Sequence, residues 1–260
     1  MVEQTTSSLD KALAVLFSFA DPQTDQRVFT VSGLAELHGM DKAQVSRMLA
    51  TFAKYGLVER LDKRRGYQLG WSVVHLAGRA LTAQTMSSIY PALSQLAVDL
   101  EETVHFSIRD GRNAVALATF EPDRRLFVSV PPGRTTALVG SAVGYALLSQ
   151  SDSDDLRSLL QKSSRRGNGS SVTWTALQDR VEHVRVDGFS LVADERGEGI
   201  TTAAVPIFDV GNYRGRVHAA IGLSAPDERV GARAPQLVER LLEIAGNAND
   251  YLRGKDEANP

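Results

Sequence analysis

Lys42-Ala43-Gln44-Val45-Ser46-Arg47-Met48-Leu49-Ala50-Thr51-Phe52-Ala53-Lys54-Tyr55 is the stretch on which the reading of the amino-terminal region turns. Val45, Met48, Leu49, Phe52 and Ala53 recur at the spacing of one helix face. At about 100° per residue, Ala43, Arg47, Ala50 and Lys54 fall opposite, with Gln44, Ser46 and Thr51 flanking them. That second face is small, polar and basic, which suits entry into a major groove, where side chains must reach base edges without bulk. Asp41 stands where an N-cap belongs. Just before it, Gly39 supplies a turn, since glycine accepts a positive φ.

Working outward, Val31 to His38 predicts a shorter helix with Leu34, Ala35 and Leu37 available to pack. Upstream, Leu9, Ala12, Leu13, Leu16 and Phe19 predict a helix over Leu9 to Ala20, ended by Asp21-Pro22, with a loop to about Thr30. Downstream, Leu57 to Leu61 reads as a strand, Asp62 to Gly66 as a charged turn and Tyr67 to Leu69 as a returning strand. Three helices, a glycine turn between the last two and a basic hairpin, in that order, predict a winged helix-turn-helix. Arg47, Gln44 and Ser46 are the candidates for base edges, with Ala43 on the same entering face. Lys42, Thr51, Lys54, Lys63, Arg64 and Arg65 are the candidates for phosphates, the last three at the wing tip.

The chain has 260 residues, 43% hydrophobic and 23% charged, an ordinary soluble composition. It has no cysteine, which removes disulfides, thiolate metal sites and cysteine nucleophiles and fits a reducing cytoplasm. Met1 to Ser8 is polar and carries no apolar signal core. No stretch approaches the roughly 20 apolar residues of a membrane span. The net charge of −2 argues against a nucleic-acid partner only until its distribution is considered. Lys42, Arg47, Lys54, Arg60, Lys63, Arg64 and Arg65 form a basic strip, opposed only by Glu59 and Asp62.

Beyond the wing, Ser72 to Thr85 reads as a helix that joins two domains. Ser87 to Glu102 reads as another, with Pro91 in its first turn, where proline is tolerated. Strands are expected at Thr103 to Ile108, Ala114 to Phe120, Leu126 to Val130, Phe189 to Asp194, Ala203 to Phe208 and His218 to Ser224. Helices are expected at Gly140 to Gln150, Asp152 to Lys162, Trp174 to Val186 and Arg233 to Arg253. Ser163 to Ser171, rich in serine, glycine and arginine, reads as a loop. Strands and helices mixed around one core give an α+β domain. The expected domains are a DNA-binding winged helix-turn-helix at 1–71, a linker helix at 72–86 and an effector-binding domain at 87–260.

Several motifs resemble those of the IclR family of bacterial transcription regulators. Ser8-Leu9-Asp10-Lys11-Ala12-Leu13 is similar to its opening S-x-x-R-A-L, and Leu34-Ala35-Glu36-Leu37 to its second helix. Lys42 to Phe52 resembles K-S-T-V-H-R-L-L-x-T-L. Gly56-Leu57-Val58-Glu59-Arg60 and Gly66-Tyr67-Gln68-Leu69-Gly70 resemble its wing. Pro132-Gly133, Ala137 to Leu148, Asp187 to Glu195, Gly199 to Asp209 and Ala220 to Pro226 are similar to its carboxy-terminal signatures. The resemblance covers roughly residues 7 to 250. It implies a GAF-like sensor domain, a linker helix that shares in dimerisation and carries the ligand signal, and a homodimer or dimer of dimers on a pseudo-palindromic operator in double-stranded DNA. It favours a repressor of a catabolic operon.

The resemblance also places an effector site. Backbone amides at Ser141, Ala142 and Val143 would receive a carboxylate, since the first N–H groups of a helix lack internal partners. Val192, Asp194, Ile200, Thr202, Gly222 and Ser224 would form the opposite wall, with Leu126, Val128 and Gly140 completing the site. Here the chain departs from the family. Tyr145 replaces a lysine, Val139 a histidine, Val192 a position that is often aspartate, Thr202 a frequent cysteine and Gly222 a frequent serine. Small and apolar replacements point to a bulkier, less polar organic acid than a keto acid of two or three carbons, such as an aromatic carboxylate.

An enzyme is the competing expectation: a small-molecule-binding hydrolase or isomerase whose first domain assists assembly. It has little to stand on. His38, His75, His105, His183 and His218 show no metal-ligand spacing, so no metal or cofactor is expected. Asp194, Glu195 and Glu198 read as a charged turn rather than paired acid–base carboxylates. Gly197-Glu198-Gly199 lacks the third glycine of a nucleotide loop. A purely structural dimerisation protein is the other alternative, and predicts neither ligand nor DNA binding.

Overall fold

The computed structural model describes residues 7–20, 28–61, 66–80, 83–164, 172–193, 199–208 and 219–256. The chain separates into two compact units, Met1–Ala83 and Gln84–Pro260.

In the first unit, α1 (Ser8–Phe17) runs into a 3-10 turn (Ser18–Ala20), followed by α2 (Val31–His38) and α3 (Lys42–Lys54). Each helix starts where a side chain satisfies a free amide. Ser7 and Asp10 form a reciprocal capping box on α1. Thr30 accepts from Gly33 N–H on α2, and Asp41 accepts from Ala43 N–H at 2.7 Å on α3. Gly39, at φ 60°, closes α2 in the left-handed region that a side chain resists. Strands β1 (Val58–Leu61) and β2 (Gly66–Leu69) pair antiparallel from Val58↔Leu69 to Leu61↔Gly66. Phe29, expected in a loop, adds a bridge to this hairpin through two backbone bonds to Tyr67. The helix α4 (Trp71–Ala80) follows.

Val15, Leu34, Val45, Leu49, Phe52 and Val58 are buried together at the centre of this unit. Two details differ from the expected pattern. Val15, not Leu9 or Leu13, is the buried residue of α1, and Leu9, Leu13 and Phe17 stay exposed. Ala53 lies exposed, at the margin of the apolar face of α3.

The second unit begins with α5 (Ala83–Leu100). This helix starts earlier than expected, so Pro91 sits inside it rather than in its first turn, and Thr85 belongs to it rather than to the linker helix. One i→i−4 bond is lost at Pro91, while Ile89, Leu93, Leu96, Ala97 and Leu100 hold the helix against the sheet. Next come β3 (Thr103–Asp110), β4 (Asn113–Phe120), β5 (Thr135–Ala137), α6 (Ala142–Leu147), α7 (Ser153–Ser164) and α8 (Trp174–Asp187). Then β6 (Ser190–Ala193), β7 (Ile200–Ile207), β8 (Ala219–Pro226), α9 (Asp227–Val230), a 3-10 turn (Gly231–Arg233) and α10 (Ala234–Asp256) complete it. The strands form a six-stranded antiparallel sheet in the order β5-β4-β3-β8-β7-β6. With the helical first unit, the fold is a winged helix-turn-helix followed by an α+β domain.

Strand alternation separates two cores. Val104 and Phe106, Ala203, Val205 and Ile207, and Ile221, Leu223 and Ala225 point to the face covered by α5 and α10. Ala114, Val192, Ala204 and Ala220 point to the other, with Val143, Ala146 and Leu147 of α6 and Leu177, Val181 and Val184 of α8. A buried carboxylate ties α5 to the sheet's far end: Glu102 accepts two bonds of 2.7 Å from Arg229.

Leu126 to Val130 is not a strand. Its alternation of Leu126, Val128 and Val130 imitates one, but the strand that pairs with the outer edge of β4 is β5, at Asn113–Val115. The segment's carbonyls are taken by side chains: Thr103 Oγ1 donates to Val128 O and Thr119 Oγ1 to Val130 O. The expected loop at Ser163 to Ser171 begins while α7 is still helical; 165–171 lie outside the described residues.

Candidate functional site

On α3, burial of Val45, Leu49 and Phe52 turns the opposite side outward. Lys42, Ala43, Ser46, Arg47, Ala50, Thr51 and Lys54 are exposed, and Gln44 is half-buried. Thr51 Oγ1 donates to Arg47 O at 3.0 Å, which uses its one proton and leaves it an acceptor. A phosphate contact by Thr51 would require that bond to break. The Lys54 ammonium lies 5.7 Å over the Tyr55 ring. Lys63, Arg64 and Arg65 lie outside the described residues.

In the second unit a cavity of about 470 Å³ opens between the sheet and α6. Leu126, Val128, Gly140, Ser141, Ala142, Val143, Val192, Ile200, Thr202 and Ser224, all expected there, line it. Asp194 lies outside the described residues. Gly222 is not on the wall. An added Cβ there would stand 2.3 Å from Cε1 of His105, so the glycine's bare backbone is what admits the imidazole. The expected loss of a serine is thus a gain of a histidine.

The start of α6 carries its own side-chain cap. Ser141 Oγ accepts from Gly144 N–H at 3.1 Å and donates to Ala137 O at 2.7 Å, so its hydroxyl is occupied. The helix has six residues, too short for much of a dipole.

Sequence reasoning missed His105, Ser107 and Arg134, all on the cavity wall. Arg134 precedes β5 and donates one bond, from Nη1 to Ser129 O at 3.1 Å. Among the described residues no carboxylate pairs with it. The remaining N–H groups of its planar fork are suited to a carboxylate. His105 is buried, and burial followed by the positive charge of Arg134 pushes its imidazole down to about 4, so it is neutral at pH 7. A signal existed: His105 and Ser107 are polar at alternate positions of an otherwise apolar strand, which puts them on one face together. Arg134 carries no periodic signal.

A family model described as the IclR helix-turn-helix domain matches residues 8–62, and one described as the bacterial transcriptional regulator IclR carboxy-terminal region matches residues 80–249. The chain belongs to the IclR family. Among its relatives in this family, the HTH-type transcriptional regulator Rv1719 of Mycobacterium tuberculosis is 26% identical over 86% of this chain and 85% of its own length. The regulator BhcR of Paracoccus denitrificans is 27% identical over 92% and 86%. An IclR homologue from Microbacterium hydrocarbonoxydans, solved in complex with 4-hydroxybenzoate, shares the fold with a TM-score of 0.79 at 21% identity, over 95% of this chain and 100% of that one. Among the described residues of this IclR-family chain, no helix is long and apolar enough to cross a membrane. No cluster of histidine and carboxylate side chains there could hold a metal ion.

Proposed function

We propose that this IclR-family chain is a cytoplasmic repressor of a catabolic operon that reads a pseudo-palindromic operator through α3 and is released by an aromatic carboxylate held in the cavity. Arg134 is the observation that carries the ligand class. It places a cation with no carboxylate partner among the described residues on the wall of a cavity whose apolar share includes Ala114, Ala116, Val143 and Val192. A benzene ring suits the apolar share of the wall better than a small keto acid does. The relative solved with 4-hydroxybenzoate supports the same class.

In this reading Arg47, Gln44 and Ser46 meet base edges and Lys42 and Lys54 meet phosphates, with Lys63, Arg64 and Arg65 at the wing. Exposed apolar side chains on α1 (Leu9, Leu13, Phe17) and α4 (Trp71, Val74, Leu76) support a homodimer or a dimer of dimers. The effector acts through its differential affinity for two arrangements of the reading helices.

Titration calorimetry with benzoate, 4-hydroxybenzoate, glyoxylate and pyruvate tests the ligand class. The aromatic acids should bind tighter, and Arg134→Ala should weaken them about 10- to 100-fold, the worth of a charge-assisted pair. Tighter binding of glyoxylate or pyruvate would sink the proposal. Footprinting on the DNA upstream of the gene, with and without the acid, tests the reading helix and the sign of regulation: protection lost on adding the acid is expected, and protection gained would make the chain an activator.

A further inference from the structure

Beside Ala114 and Ala116 of β4, the cavity wall carries a line of polar side chains. On the α6 side of the sheet lie His105 and Ser107 of β3, Ser224 of β8 and Thr202 of β7. Their side chains are joined end to end. Ser107 Oγ is 3.2 Å from His105 Nδ1, His105 Nε2 is 3.3 Å from Ser224 Oγ, and Ser224 Oγ is 3.0 Å from Thr202 Oγ1. Ser107, His105 and Ser224 are buried, and Thr202 is half-buried at the cavity end.

A neutral imidazole has one N–H and one bare nitrogen, so this chain has two directions. With the proton on Nε2, His105 donates to Ser224, Ser224 donates to Thr202, and the Thr202 hydroxyl proton is left for the cavity. With the proton on Nδ1, Thr202 donates to Ser224, Ser224 donates to Nε2, and Thr202 Oγ1 presents only lone pairs. Flipping the tautomer therefore converts the cavity end from donor to acceptor without moving a heavy atom. The histidine is what makes the line reversible, and its ring fits only because position 222 is glycine.

The Thr202 end of the line lies on a strand far in the sheet order from Arg134. That residue precedes β5 at one edge of the sheet, while Ser224 and Thr202 lie on β8 and β7 in the order β5-β4-β3-β8-β7. Strands are spaced by roughly 4.8 Å, so the β5 edge and β7 stand several strand widths apart, room for a ring between an acid held by Arg134 and the Thr202 end. Apolar Ala114, Ala116 and Val143 lie along the wall.

We infer that His105 is a specificity-determining residue, holding Ser224 and Thr202 so that they read a second oxygen on the effector, across its ring from the carboxylate. The preferred ligand is then a hydroxylated aromatic acid rather than a plain one. This rests on the cavity being the effector site for an acid; the second oxygen is the new element.

Calorimetry on the full chain with benzoate, 3-hydroxybenzoate, 4-hydroxybenzoate and phenol separates the two layers. In the native chain the better hydroxybenzoate should bind about fivefold tighter than benzoate, the worth of one net hydrogen bond. In His105→Ala and in Thr202→Val that ratio should fall to within about twofold, because the second oxygen loses its partner. The ratio, unlike affinity alone, does not move with a general loss of packing. Thr202→Val is nearly isosteric and half-buried, so it keeps the test available if His105→Ala fails to fold. A native ratio near one, or a ratio that survives in Thr202→Val, overturns the inference while leaving the acid site standing. Binding of phenol that depends on Thr202, with no binding of benzoate, sustains the polar line and overturns the acid site. No binding of any of the four overturns both.

Discussion

Helix α3 and strand β3 carry their functional side chains by the same device, a period that divides apolar from polar, yet they differ in what each needs to be complete. The outward face of α3 is finished within one helix: burying Val45, Leu49 and Phe52 leaves Arg47 and its neighbours facing out. The inward face of β3 is an unfinished edge. His105 and Ser107 acquire meaning only when Ser224 and Thr202 arrive from strands about a hundred residues later. A DNA-reading surface can be local because its partner is another molecule. A ligand cavity must be assembled, because its partner is enclosed by the chain itself.

That difference can be broken or sharpened by substitution. The largest expected effect is Leu49→Ala, which should destabilise the first unit by about 2–5 kcal/mol through the cavity it leaves. DNA binding should fail first in a thermal melt while acid binding to the second unit persists; acid affinity that declines in step would mean that the sites do not divide between the units.

Next comes His105. Its folded-state value near 4 lies below the ordinary 6.5 because of burial and Arg134. Between those values the unfolded chain holds a proton that the folded chain lacks. Stability is therefore full above pH 6.5 and declines as pH falls toward 4, by on the order of 3 kcal/mol from this group. Denaturant unfolding at pH 7 and pH 4.5 should show a smaller drop in His105→Gln than in the native chain; equal drops would remove the imidazole from the account.

Arg47→Ala should cost about 1–3 kcal/mol of discrimination between operator and random DNA if it makes a bidentate base contact. Arg64→Ala should instead weaken binding to all sequences and reduce the salt slope by about one. Equal losses on operator and random DNA in both variants would move Arg47 among the phosphate contacts. Smallest is Asp41→Ala, which removes the cap on Ala43 N–H and should lower the melting stability of the first unit by about 1 kcal/mol. An unchanged melt would mean that water replaces the cap without loss.

Legibility followed the same division. The capping residue, the glycine turn, the presence of the hairpin and the exposed residues of α3 are legible in the sequence, because each depends on neighbours within a few positions. Most of the cavity wall was named through family resemblance, but its chemistry was misread at two points. In sequence Gly222 counts as a lost polar group, since nothing in its own surroundings shows that it faces His105 across the β3–β8 pair. Leu126 to Val130 reads as a strand, since alternation cannot reveal that the side chains of Thr103 and Thr119 take its carbonyls.

The sequence by itself determined that this chain has a winged helix-turn-helix with a basic reading face and an α+β domain behind it, because periodicity, caps and turns are local properties of a polymer. Only the tertiary structure decided that Arg134 faces a cavity, that a glycine on β8 makes room for a histidine on β3, and that four side chains from three strands form one hydrogen-bonded line. Those contacts join residues up to 119 positions apart, and their existence depends on sheet register, which no single segment specifies.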